Sequence, residues 1–578
     1  KCLQVANLFY LMVDPDKTGH EEAEMVPEGF KFIKEGKARI IYPSNEDADD
    51  VPAFYNPAQV FNRDLSCAVL EEFAVQYKEK NKDFIDKMNS EKKAENPDAE
   101  PWKFRTLEAL SASGLRSCRY ALECDTVDRI IANDISVSAV QEIHRNSKFN
   151  DCEKKIEIAN KDAIELMALR RAPKLNVPVI DLDPYGSATP FLDSAVQAVN
   201  YGGMLMVTCT DMGVLAGNHP EACFAKYGSF PLKAHFCHEQ AIRIVLYSIE
   251  RAANRYGRYI EPLISLHLDF FIRVFVRVHH GKKHVKLSCT KVGNVCRDPQ
   301  SHGFTHYTLG ELQKTENGSK YVPPQVKTAS SVPYATNLKQ GGPMWLGPLH
   351  NHEFVRAVQS RIEDCDENVW TTKVRLCGLL EACLEELNDV PLYYHMQKDF
   401  GIVLKFSLMK QQILRSAIIN AGYRVSSSHA TTDIIKTDAP LNVIWDILRA
   451  YVKSKTEDLN LDKVDEHHVK RKILTDVQGD TKISFDIAQD KGLKAIKNVI
   501  RFPPLPANWG PKAAARMQMQ EGQKLDGKKK TSENKDNDGG VRQLSKRQRI
   551  KQNKRAKRRK TEENVPVDPD PALSTSMD

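Results

Sequence analysis

The stretch that most constrains this chain is Val179-Ile180-Asp181-Leu182-Asp183-Pro184-Tyr185-Gly186. An apolar run closing on carboxylates and a turn reads as a strand buried on both faces. Such a strand delivers acids to the carboxyl edge of a parallel sheet, where open α/β folds hold their ligands. Strand and helix patterns alternate on both sides of it, as a parallel sheet requires. Strands are predicted over 105–110, 129–132, 155–159, 177–182 and 204–209, and helices over 115–123, 136–146, 190–199 and 233–256. The run 264–278 is long enough for the strands of a closing antiparallel pair. The expected fold class is therefore α/β.

With 578 residues the chain exceeds what one hydrophobic core supports. Residues 1–50 form an N-terminal extension with a β-hairpin signal around Glu35-Gly36, and 51–280 hold the α/β domain. In that domain a helix is predicted to run on through Leu70 to Tyr77, and 78–100, rich in Lys, Glu, Asp and Asn, reads as a solvated insertion. The polar, Gly/Pro/Ser/Thr-rich segment 281–345 reads as a connector. A C-terminal α+β domain is expected over 346–507, with helical spacing at 354–362, 373–387, 404–421 and 441–452 and extended runs near Ile402 and Tyr423. From 508 to 578 no packing pattern survives, and the tail reads as disordered.

Charge and cysteine usage narrow the setting. The net charge is +7, yet 542–560 alone carries eleven Lys/Arg and no acid, so the rest of the chain is net negative and any nucleic-acid surface on it must be a local patch. The basic run suits nuclear import and a loose RNA tether alike, against the plainer reading of a solubilising tail. The 13 cysteines include no C-x-x-C pair and read as reduced residues of an intracellular protein. The apolar run 6–13 is too short to span a bilayer, and the acids behind it (Asp14, Asp16, Glu21, Glu22, Glu24) argue against a mitochondrial transit peptide. The sequence opens on Lys1 rather than Met, so residues ahead of it are expected.

The segment from Leu107 to Arg119 reads as strand, small-residue turn and helix, with Gly114 letting backbone approach a ligand at the helix N-terminus. Asp134, twenty residues past Gly114 at the end of the next strand, is placed to bind ribose hydroxyls. An NAD site would share these features. A single glycine in place of G-x-G-x-x-G, followed by Arg116 and Arg119, tilts the reading toward S-adenosylmethionine (SAM), whose carboxylate an arginine fork suits. After the third strand, Asp162 can accept the adenine amino group and Ala163 can offer its backbone N–H; an N-cap role for Asp162 is compatible with this. Arg63 can reach over a cofactor carboxylate and Phe61 can wall a base pocket, the plainer alternative being that Arg63 and Asp64 form a surface ion pair. Asp211 leaves the fifth strand in the same layer and is a candidate substrate-loop residue, or simply turn chemistry. Cys289, Cys296, His302 and His306 fall at C-x6-C-x5-H-x3-H, whose first half does not match a zinc knuckle, so no metal site is expected.

Asp183-Pro184-Tyr185 fits methyl transfer to an exocyclic amino group. The ring ties up that nitrogen's lone pair, so a carboxylate must hold one N–H, turn the lone pair toward the methyl donor and later take the proton. The Pro184 carbonyl can accept the second N–H, and Tyr185 can stack on a heterocycle. Taken together, Tyr55-Asn-Pro-x-x-x-Phe-Asn-Arg-Asp64, Leu110-Ser-Ala-Ser-Gly-Leu-Arg116, Ala132-Asn-Asp134, Asp181-Leu-Asp-Pro-Tyr-Gly186, Thr208-Cys-Thr-Asp211 and Leu215-Ala-Gly-Asn218 closely resemble the tRNA (guanine-N2) dimethyltransferase family. The match continues through Gly341-Gly-Pro-Met-Trp345, Pro391-Leu-Tyr-Tyr394, Lys436-Thr-Asp-Ala-Pro440 and Asn508-Trp-Gly-Pro511.

The resemblance implies a class I, Rossmann-like, SAM-dependent methyltransferase domain with a C-terminal domain that helps hold tRNA, acting on the guanine at position 26. It implies SAM contacts at Arg63, Arg116, Asp134, Asp162 and Ala163, and Asp183 as catalytic acid with Pro184 and Tyr185 beside it. The chain departs from many eukaryotic members in lacking paired C-x-x-C knuckles between Cys289 and Gly341. The alternatives are a DNA-adenine or glutamine methyltransferase, which would carry a second proline after Pro184, and an RNA-binding scaffold with a vestigial Rossmann-like domain.

Overall fold

The structure, a computed structural model, describes residues 26–44, 55–172, 175–316, 318–326, 331–456, 461, 464–477, 479 and 481–488. The first apolar run, the Asn508–Pro511 motif and the basic run 542–560 lie outside the described residues. Every residue of Val177–Leu182 is buried, and this strand sits at the centre of a seven-stranded sheet.

In chain order the strands are β1 (Phe30–Glu35) and β2 (Ala38–Pro43), then β3 (Arg105–Glu108), β4 (Arg129–Asn133), β5 (Ile156–Ala159), β6 (Val177–Leu182), β7 (Val199–Cys209), β8 (Arg258–Leu268) and β9 (Phe271–His280). The sheet order is β5-β4-β3-β6-β7-β9-β8. β5, β4, β3, β6 and β7 pair in parallel, whereas β9 runs antiparallel to both of its neighbours. Side-chain alternation splits the apolar residues between two cores: Ile180, Leu205 and Val207 face one, Val179, Met204 and Met206 the other. β1 and β2 form the expected hairpin beside this sheet.

Helix Cys237–Asn254 covers the first face with Ala241, Ile242, Val245, Leu246 and Ile249. Helix Val60–Lys80 covers the second, and it is buried continuously from Phe61 to Ala74, because helices His352–Asp364 and Lys373–Glu385 pack into the same core. Residues 78–100, read as a solvated insertion, extend that helix and then form a second one, Lys82–Glu95, which buries no residue. Lys, Glu and Ala are strong helix formers and sustain it without a core of its own.

The segment read as a connector is a packed antiparallel sheet. β10 (Val292–Arg297) lies between β11 (Phe304–Thr308) and β14 (Lys339–Trp345), with a separate exposed hairpin of β12 (Glu311–Thr315) and β13 (Gly318–Val322). Val292, Val295, Met344 and Trp345 join the first core. The glycines that gave the segment its loop-like composition serve close packing instead: a Cβ on Gly293 would come within 2.0 Å of the Tyr307 carbonyl oxygen, and one on Gly341 within 2.6 Å of Leu232.

A third core, with Phe400, Leu414, Ile418, Ile435, Ile444, Trp445 and Leu448, is built on β15 (Tyr394–His395), β17 (Thr431–Thr437) and β16 (Val425–Ser428), in that order, and on helices Gln411–Asn420 and Leu441–Lys455. The extended run expected near Ile402 is helical, Met396–Gly401 continuing into Ile402–Leu404. Among the described residues no helix is long and apolar enough to cross a membrane, and the twelve described cysteines are free thiols.

Candidate active site

The carboxyl ends of β5, β4, β3, β6 and β7 bring Asp162 and Ala163, Asp134, Gly114, Asp183 and Asp211 to one edge of the sheet, in that spatial order. Gly114 caps helix Leu115–Glu123 at φ +76°, and a Cβ there would meet Ile143 at 3.1 Å, so both conformation and space require glycine. Asp134 holds the glycine loop, accepting from the Ala112 N–H (2.9 Å) and the Ser136 N–H (2.9 Å). Asn133 ties the neighbouring loops together, donating to the Ala109 and Lys161 carbonyls at 3.0 Å each. Asp162 caps helix Ala163–Leu169, accepting from Ile164 (2.7 Å) and Glu165 (3.2 Å).

At the end of β6 the Asp183 side chain is 23% exposed, Pro184 is buried and Tyr185 is 85% exposed. The Gly186 N–H donates to Thr210 Oγ1 (2.7 Å) and the Thr210 N–H to the Gly186 carbonyl (2.8 Å), which fixes the Tyr185 turn against the loop after β7. Asp211 is held by the Tyr227 hydroxyl (2.6 Å) and Lys226 (3.2 Å).

Helix Val60–Lys80 sets its two charged motif residues differently from a surface pair. Arg63 makes a bidentate bond to Glu35 of β1 (2.6 and 2.5 Å), while Asp64 pairs with Arg119 (2.7 Å) and accepts from the Thr372 hydroxyl (2.6 Å). Both are buried, and neither pairs with the other. Arg119, expected to fork with Arg116 toward a ligand, is fully buried among Glu35, Asp64 and Glu123 and is structural. Phe61 is 2% exposed under the Arg375 guanidinium (4.4 Å), so it does not wall an open pocket.

Arg116 is the arginine that reaches the sheet edge. It pairs with Asp183 and lies 3.3 Å from Asp181 and 3.7 Å from Glu108. Burial works to raise the Asp181 carboxyl, but Arg273 and Arg116 outweigh it and hold the group below its usual range. At Glu108 burial prevails over Arg116 and Ser117 and pushes the carboxyl up to about 8, so it is protonated at neutral pH. Glu108, Asp181, Arg273 and Glu35 were given no role from the sequence. The one available signal was period: Asp181 lies two residues before Asp183, on the same face of the strand.

The four residues of the C-x6-C-x5-H-x3-H pattern do not converge. Cys296 and His306 lie in paired strands and His302 turns to Asp399 (3.3 Å). Two other groups of metal-capable side chains occur among the described residues. In His350, Cys383 and His429 the histidines already accept backbone N–H groups from Ser265 and His267 (3.4 Å each), and His429 Nδ1 also bonds Glu386 (2.8 Å). In His235, His302 and Asp399, Arg297 already stands 3.6 Å from the shared carboxylate oxygen.

The donor set suits SAM. Asp134 and Asp162 stand one strand apart, with the exposed apolar side chain of Ile135 directly after the first and the part-exposed Ile164 two residues past the second, and either can lie on a purine. An open parallel sheet closed by one antiparallel strand, with a glycine turn, two edge acids and an Asp-Pro-Tyr turn, defines a class I methyltransferase. The family profile for N2,N2-dimethylguanosine tRNA methyltransferase matches residues 36–449. The chain is 41% identical over 447 residues to the tRNA (guanine(26)-N(2))-dimethyltransferase of Drosophila melanogaster, covering 73% of this chain and 76% of that protein. It is 40% identical to the Caenorhabditis elegans enzyme of the same name, covering 85% and 93%. The solved complex of Trm1 from Pyrococcus horikoshii with S-adenosyl-L-methionine is 30% identical, with a TM-score of 0.57, covering 72% of this chain and 98% of that one. The chain belongs to the N2,N2-dimethylguanosine tRNA methyltransferase family.

Proposed function

We propose that the protein transfers methyl groups from SAM to the exocyclic N2 of guanine 26 of tRNA, giving N2,N2-dimethylguanosine, with the Asp183 carboxylate as catalytic hydrogen-bond acceptor and base. The observation that carries this reading is the pairing of a half-buried Asp183 with an exposed Tyr185 at the carboxyl edge of β6, inside the segment that the family profile covers. Asp134, Asp162, Ala163, Gly114 and Arg116 would hold SAM; Arg63, which the resemblance also places among the SAM contacts, is in this chain bound to Glu35. Bound there, SAM supplies an electrophilic methyl group on a sulfonium sulfur. Tyr185 stacks on the flipped guanine, Asp183 and the Pro184 carbonyl each accept one N2–H, and Asp183 takes the N2 proton as the N–C bond forms and the methyl–sulfur bond breaks, the neutral thioether S-adenosylhomocysteine being the leaving group. A second round needs room for one methyl at N2, and the solvent-facing Tyr185 leaves that side open.

The test is to incubate unmodified tRNA with the protein and SAM and to digest it for nucleoside mass spectrometry. Dimethylguanosine is expected with the wild type, and Asp183→Ala should lose at least about 100-fold in transfer while still binding cofactor. Transfer undiminished in that variant, or methyl groups appearing only on adenine, would sink the assignment. We further propose that the basic run 542–560 directs nuclear import. Its support is sequence alone, eleven cationic residues without an acid. One relative, from Saccharomyces cerevisiae, is named mitochondrial. Deleting 542–560 should move a tagged protein out of the nucleus; unchanged localisation would remove the import reading.

A further inference from the structure

Beneath Asp183 lies a charge network of which methyl transfer as described uses only Arg116. Asp181 is fully buried and accepts from Arg273 Nη1 (2.8 Å), the Tyr120 hydroxyl (2.7 Å) and Arg116 Nη1 (3.3 Å). Ser66 Oγ accepts from Arg116 Nη1 (3.1 Å) and Arg273 Nη2 (2.9 Å) while donating to the Asn62 carbonyl (2.6 Å). The Arg116 guanidinium is therefore anchored along its Nη1 edge by residues from helix Val60–Lys80 and β6, with Glu108 of β3 beside its Nε. Its Nη2 is what pairs with Asp183.

This arrangement has a chemical consequence. A carboxylate oxygen that already accepts from a guanidinium has less lone-pair capacity left for a second donor, so the pairing makes it a weakened acceptor. In the chain by itself, Oδ2 of the acid that must receive the guanine N–H is thus already taken. Arginine offers five N–H donors in a rigid fork, so Nη2 can change partners while Nη1 stays on Asp181 and Ser66.

We propose that Arg116 is shared between Asp183 and the cofactor carboxylate: it masks the acid while the cofactor site is empty and releases it when the cofactor binds, so that cofactor enters before tRNA and strengthens the hold on guanine. The proposal rests on the reading of Arg116 as a cofactor contact. It assigns Arg116 a second task, coupling the two binding sites, and makes the coupling reciprocal. Whatever frees Arg116 from Asp183 must therefore tighten the cofactor.

The test uses S-adenosylhomocysteine, which carries the same carboxylate but no sulfonium charge, so direct attraction between Asp183 and the sulfonium does not enter. Calorimetric titration of the full chain should show Asp183→Asn binding S-adenosylhomocysteine about tenfold tighter than wild type, the scale of one charge-assisted bond no longer broken. Equal or weaker binding by that variant overturns the proposal. In a second measurement, saturating S-adenosylhomocysteine should tighten tRNA binding several-fold in the wild type and leave it unchanged in Asp183→Asn. No tightening in the wild type overturns the coupling. If wild-type protein fails to bind S-adenosylhomocysteine at all, it is the cofactor reading beneath the proposal that falls.

Discussion

Glu108 shows how a single buried side chain can set a property of the whole chain. Its carboxyl is raised from 4.5 to about 8 by burial, with Arg116 and Ser117 opposing. A folded-state value above the unfolded one contributes stability that is complete below about 4.5 and is lost as pH rises toward about 8. Wild-type stability in urea should therefore fall over that range with a slope of order 1.4 kcal/mol per pH unit, and Glu108→Gln should flatten it. A variant whose pH dependence matches the parent would show that Glu108 is ionised throughout. The same scale explains where reading from sequence failed. Arg63 and Asp64 look like an ion pair because they are adjacent, but on a helix neighbouring residues point about 100° apart. Their partners, Glu35 and Arg119, come from distant segments that no local pattern announces.

At the scale of elements, what was legible followed the strength of the local pattern. The five parallel strands and their crossover helices were legible because apolar β-forming runs such as Val177–Leu182 and 204–209 alternate with helical spacing and end in polar turns. The hairpin at Glu35-Gly36 was legible because Gly36, at φ +60°, supplies the turn. Helix Val60–Lys80 gave little amphipathic signal, since sheet and helices bury it from opposite sides. The sheet of β10, β11 and β14 was hidden by its glycines, which in sequence mark loops and in space admit a neighbouring backbone.

For the molecule as a whole, the boundary placed at 345–346 from composition cuts through a core. Phe354, Val355, Val358, Ile362, Trp370, Leu376 and Leu380 pack with Leu65, Val69 and Phe73. Arg361 on Glu72 (2.9 Å), Trp370 Nε1 on Glu123 (2.9 Å) and Arg375 on Asp269 (2.6 Å) fasten the same seam. A chain ended after residue 345 should consequently aggregate or melt well below one ended after residue 389, the difference reflecting seven large apolar side chains at about 1.5–3 kcal/mol each as an upper bound. Equal thermal midpoints and solubility for the two would show that the helices 352–364 and 373–385 are accessory.

By itself the sequence determined the class of sheet, the edge at which its acids emerge, the family and the place of the Asp183-Pro184-Tyr185 turn at the end of the central strand, because each is written in residues close together along the chain. Only the tertiary structure decided which arginine reaches the edge where those acids emerge. Arg116 and Arg119 stand one helical turn apart with the same charge, and their roles separate because folding places Asp181 and Asp183 against one and Glu35, Asp64 and Glu123 against the other. A buried charge takes its function from the partners that desolvation forces upon it, and those partners are brought together from across the chain.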